Sequence, residues 1–169
     1  MPNIKLLKSS KNTLHHPSHK ANGHTKPILR LERWQRRSVY LVFGLLFLTG
    51  AAWLIAHFLL RRATEFGESV HPIEPWTMKV HGAAAMLALF FVGSLLNTHI
   101  RRALKGRLNL LSGWAMIALI GILTVSGYGL YYFASEQSRT AWSVLHWVFG
   151  LTFPLSIFLH IMLGRRASI

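Results

Sequence analysis

A chain of 169 residues that is 51% apolar and only 14% charged carries a formal net charge of +14. Soluble domains hold about 25% charged residues, and here the charges avoid four stretches entirely: 39–60, 80–100, 108–133 and 142–163. Each is long enough, at about 20 apolar residues, to cross a bilayer as a helix, which excludes an ordinary soluble domain. Cysteine is absent, and with it disulfides, thiolate metal sites and CxxCH attachment.

In chain order, residues 1–38 come first, with nine Lys and Arg and one Glu. They read as a mostly flexible basic tail, and 28–37 alternates apolar and basic residues as a short interfacial helix does. The tail histidines His15, His16, His19 and His24 are scattered, which fits a solvated tail better than a metal tract. No signal peptide is expected, because the first apolar run begins at Val39 and is too long for a signal core.

The four spans predict an all-α membrane protein, a four-helix up-and-down bundle forming one domain over 39–166. The connection 61–79 sets Arg61, Arg62 and Lys79 against Glu65, Glu68 and Glu74, and 134–141 sets Glu136 against Arg139. The opposite side takes the N-terminal tail, Arg101, Arg102, Lys105 and Arg107, and the terminal Arg165 and Arg166, hence the whole net charge. Positive charge stays inside, so both termini are expected in the cytoplasm of a multi-pass protein of the bacterial inner membrane. Trp34 and Tyr40 at one surface, with Trp76, Tyr131, Tyr132 and Trp142 at the other, form matching aromatic belts. Orientation and attraction to anionic lipid account for the basic balance without nucleic acid.

Histidines inside spans are rarer and more informative. Spans two and four run in the same direction, which puts His81 and His146 at one outer depth and His99 and His160 at one inner depth. Eighteen residues from His81 to His99 are five helical turns, and fourteen from His146 to His160 fall about 40° short of four, so each pair keeps to one face. The rises are about 27 Å and 21 Å. Paired neutral imidazoles at two depths suit haem iron held by two axial ligands, an arrangement that favours electron transfer. Tetrahedral zinc needs about four ligands close together, and no intramembrane Asp, Glu or Cys supplies them.

Small residues beside the histidines, Gly82, Ala83, Ala84, Ala85 and Gly150, permit close approach of a broad ring or of another helix. Ser112, Gly113, Ser126, Gly127 and Gly129 give span three a similar wall. Propionate partners are expected near the surfaces: Arg101, Arg102, Arg107 and Asn109 inside, Lys79 and Arg139 outside. His57, near the outer end of span one, stands as an alternative outer ligand, a propionate donor, a carrier of quinol protons or an interfacial packing group. Glu65, Glu68, His71 and Glu74 beside it form a titratable connection suited to accepting protons or simply to solvent exposure.

The segments KVHG at 79–82, NTHIRR at 97–102, GRLNLLSG at 106–113, SGYGLYY at 126–132, LHW at 145–147 and LH at 159–160 together give the chain a likeness. It resembles the superfamily of four-helix membrane b-type cytochromes, which includes bacterial cytochrome b561 and the cytochrome b subunits of formate dehydrogenases and hydrogenases. The resemblance covers about 39–166 and implies two haem b groups held by histidine pairs, with quinone or quinol as redox substrate. It also implies a periplasmic or membrane redox partner subunit. Many members use a first-span histidine for one haem; here only His57 lies in that span. The expected function is relay of electrons across the membrane between quinone and a partner, as an oxidoreductase subunit with no catalytic residue of its own. Homo- and hetero-oligomers stay open. Rival readings are a haem-free membrane anchor or assembly subunit, whose histidines only join helices, and a transporter or metal-handling protein, which the lack of intramembrane charge disfavours.

Overall fold

The computed structural model describes residues 32–65, 67–107 and 109–166. Residues 1–31, and with them most of the basic tail and the first part of the expected interfacial helix, lie outside the described residues. Four helices are long and apolar enough to cross a membrane. The first, α1 (Arg33–Leu59), starts six residues before the uncharged stretch. Residues 33–37 are therefore its opening turns rather than a separate interfacial helix, because nothing between Arg33 and Val39 breaks a helix.

A short antiparallel hairpin follows, β1 (Arg62–Thr64) paired with β2 (Gly67–Ser69), the described chain's departure from an all-α bundle. Gly67 sits at φ +108°, a conformation that suits only glycine, and Thr64 donates its hydroxyl to the Gly67 carbonyl. α2 (Ile73–Leu95) opens behind Pro72 with Pro75 in its first turn, where a missing N–H costs nothing. It runs into a π turn over Leu96–Ile100 and then α3 (Arg101–Lys105).

The next connection is tight. Arg107 and Asn109 both take positive φ, +48° and +53°, before α4 (Leu110–Tyr132) begins. α4 stops where Phe133 and Ala134 both donate to the Gly129 carbonyl, at 2.9 and 2.8 Å. α5 (Glu136–Arg166) is started by reciprocal bonds between Ser135 and Ser138: each hydroxyl accepts from the other's backbone N–H, at 3.3 and 3.0 Å.

Sequential helices form two antiparallel hairpins, α1 on α2 and α4 on α5, and α1 also packs on α5 where Phe43 meets Phe153 at 4.9 Å. The buried residues of α1 are Gln35, Val42, Thr49 and Ala56, a strict seven-residue spacing. Buried Leu119 and Ser126 keep the same interval on α4, with half-buried Ser112 seven residues earlier. Such a seam is the mark of helices packed at a shallow left-handed angle. The interior uses small side chains, Ala56, Ala84, Ala88 and Ser126, while Leu48, Phe58, Met86, Phe90 and Leu111 face outward. Large apolar groups on the outside of all four helices suit lipid as the surrounding solvent.

Candidate functional site

The facing histidines expected from span geometry meet. His81 on α2 and His146 on α5 have ring centres 6.1 Å apart with planes at 78°. His99, in the π turn, and His160 on α5 stand at 6.3 Å and 77°. α2 and α5 approach each other through these imidazoles rather than by close backbone packing.

The π turn has a geometric reason. In an unbroken α-helix the eighteen residues between His81 and His99 would rise about 6 Å more than the fourteen between His146 and His160, and would end about 40° out of phase with them. A π turn advances and rises less per residue than an α turn, which moves His99 toward the phase and depth of its partner. π turns inside α-helices are frequent at functional sites for this kind of adjustment.

Hydroxyls on the neighbouring helix of each hairpin occupy the histidine Nδ1 atoms. Thr49 Oγ1 lies 3.0 Å from His81 Nδ1, Ser126 Oγ 2.9 Å from His146 Nδ1, and Ser112 Oγ 3.0 Å from His160 Nδ1. Each hydroxyl donates its own proton back into its helix: Thr49 to Leu45 O at 2.7 Å, Ser126 to Leu123 O at 3.3 Å, Ser112 to Asn109 O at 3.3 Å. With its own proton so directed, each hydroxyl oxygen accepts, the arrangement in which Nδ1 carries the hydrogen. The lone pair is then on Nε2, the nitrogen left free to bind a metal.

The spacing fits a metal between the rings. An imidazole nitrogen binds a first-row metal at about 2.0–2.1 Å, so two rings in line across one ion have centres about 6.3 Å apart. Among the described residues no group of three or more His, Cys, Asp or Glu side chains is placed to hold a metal ion. Each pair thus offers two ligands, which suits an ion whose other positions are filled by a macrocycle.

Glycines give the rings their room. A Cβ on Gly50 would lie 3.4 Å from His81 Cε1, and one on Gly127 3.2 Å from His146 Cε1. Gly82, singled out from the sequence, has open space instead, and Gly150 faces Leu123 at 3.9 Å. Thr49 and Gly50 join the site only in the folded chain. Their signal is a hydroxyl followed by glycine, at 49–50, 112–113 and 126–127, each hydroxyl meeting a histidine.

His57 goes elsewhere. Its ring stacks on Trp53 at 4.5 Å, and its Nδ1 lies 3.2 Å from Glu74 Oε2. Arg61 closes the group with two bonds, Nε to Oε1 at 2.9 Å and Nη2 to Oε2 at 2.8 Å. Glu74 is 4% exposed, and its carboxylate raises the Arg61 guanidinium above its ordinary value, first through the hydrogen bond. The paired carboxylate, arginine and imidazole tie the end of α1 to the start of α2. Neutralising buried Glu74 removes the charge that half-buried Arg61 and His57 share, so Glu74→Gln is expected to lower thermal stability and to speed amide exchange across 60–74. Unchanged exchange there would show that the clamp carries no stability.

The surface candidates separate. Lys79 Nζ lies 4.8 Å over the Trp76 ring, and Arg101 donates to Asn97 Oδ1 at 3.0 Å. Arg102, Arg107 and Arg139 are exposed. Asn109 precedes Ser112 by one turn, and its Nδ2 is buried without a hydrogen-bond acceptor among the described residues. Of the proposed surface donors it is the one left with a donor to satisfy. Compared with family models, curated proteins and solved structures, the chain matches none.

Proposed function

We propose that the chain is a dihaem b-type cytochrome of the bacterial inner membrane, with both termini in the cytoplasm, relaying electrons between quinone or quinol and a redox partner subunit. The observation that supports this most is the two imidazole pairs at 6.1 and 6.3 Å whose Nδ1 atoms are, in three rings of four, already hydrogen-bonded. His81 and His146 hold the outer group, His99 and His160 the inner. Bound there, haem iron supplies one-electron chemistry, and two protein ligands leave no open position for oxygen or substrate.

The chain's own residues orient and insulate. Thr49, Ser112 and Ser126 fix the imidazoles, Gly50 and Gly127 leave space against their Cε1 edges, and the apolar helix faces keep water from the interior. Asn109 offers its free amide to an anionic or carbonyl oxygen at the inner end. The His57–Glu74–Arg61 group, outside both pairs, ties the end of α1 to the start of α2.

Edge-to-face packing of bare imidazoles also falls within about 4.5–7 Å between centres, the arrangement a haem-free anchor would use. Purified protein expressed with ample haem separates the two. Two b-type haems per chain by pyridine haemochromogen assay, reducible by a quinol, is the expected result. None bound would leave the anchor.

A further inference from the structure

The four histidines are not equivalent. Both rings of the outer pair have a hydroxyl on Nδ1, whereas in the inner pair only His160 does. Among the described residues the His99 ring makes no hydrogen bond. The asymmetry lies in α1. Ser112 precedes Ser126 by fourteen residues on α4, and fourteen residues before Thr49 α1 carries Gln35, buried at 8% exposure and not bonded to His99. The two hairpins therefore repeat one plan, a hydroxyl on the first helix holding a histidine on the second, and they break it at a single position.

A hydrogen bond accepted from Nδ1–H gives the imidazole more anionic character and makes Nε2 a stronger donor. A stronger donor favours the oxidised, more positively charged metal. Two such bonds act on the outer pair and one on the inner. Arg101, Arg102, Arg107, Arg165 and Arg166 cluster at the inner end, while the outer connection is neutral, so the field of the protein favours reduction on the inner side as well.

We infer that Thr49, Ser126 and Ser112 are positioning residues that set the reduction potentials of the two centres, holding the outer one below the inner one. The inference rests on the dihaem reading and orders its two sites: an electron entering at the outer face moves downhill to the inner.

The test uses the full chain purified with haem and followed by optical redox titration, the two centres being identified from single-histidine variants. Thr49→Val keeps the shape of the side chain and removes the hydroxyl; Ser126→Ala does the same on the other ring. Each is expected to raise the outer potential by about 59 mV, a tenfold change in the one-electron equilibrium, with the inner potential unmoved. Ser112→Ala is expected to move the inner potential alone, and Thr49→Ser to behave as the parent. Loss of the outer haem in Thr49→Val but not in Thr49→Ser also supports the hydroxyl's role. Loss in both, or two retained haems with unshifted potentials, overturns the inference while leaving the dihaem reading intact. Potentials in which the outer centre is the higher of the two overturn the proposed order. Parent protein without haem removes the reading and the inference together.

Discussion

His81→Ala or His146→Ala is expected to cut the haem content of the purified chain from two to one, and His99→Ala or His160→Ala to do the same at the other centre. Each ring stands about 6 Å from one partner and from no other imidazole among the described residues, so a truncated side chain has no substitute within reach. His57 is the informative control. Its Nδ1 is engaged by Glu74 and its ring lies flat on Trp53, so His57→Ala is expected to retain both haems. Should His57→Ala lose the outer haem while His81→Ala keeps it, ligation would belong to α1 and the pairing across α2 and α5 would be packing alone. The measurement is haem per protein, with reduced-minus-oxidised spectra reporting which centre is lost.

The second large effect is steric and concerns stability. A Cβ on Gly129 would lie 2.7 Å from Cζ3 and 2.8 Å from Cε3 of Trp142. An indole ring is rigid and wide, so either α4 and α5 separate or Trp142 leaves its position. Overpacking of this kind costs about 1–3 kcal/mol, and Gly129→Ala is expected to lower the melting temperature accordingly. Gly44, in the middle of α1, has nothing within 4 Å of its added Cβ. There the same substitution should stabilise by up to about 1 kcal/mol, because alanine is the better helix former. Opposite signs for one chemical change at two helical glycines would tie the effect to the α4–α5 contact. A Gly129→Ala chain as stable as the parent would mean that the contact yields freely.

Much of the architecture was legible in the residue order because it depends on one-dimensional quantities. Four uncharged stretches correspond to four long helices, and their limits moved by up to seven residues, chiefly because polar ends such as 33–38 and 136–141 extend helices past the apolar part. The pairing of His81 with His146 and of His99 with His160 followed from helix direction and depth, which need no knowledge of side-chain contacts. The short hairpin after α1 escaped because its strands of three residues carry no periodicity to read. Thr49 escaped for a different reason: a threonine followed by glycine is a faint mark inside an apolar run, and the histidine that gives it meaning is 32 residues away.

Apolar run length, charge placement and the spacing of histidines along each run by themselves determined the number of helices, their alternating directions and which imidazoles share a depth. Those features follow from run length and helical rise, which act on each segment separately. Only the packed structure decided that Nδ1 of three histidines is spoken for, that a π turn brings His99 round to its partner, and that His57 belongs with Glu74 and Arg61. Those outcomes depend on how neighbouring helices are rotated about their own axes, and that rotation is set jointly by the small residues and hydroxyls along both seams.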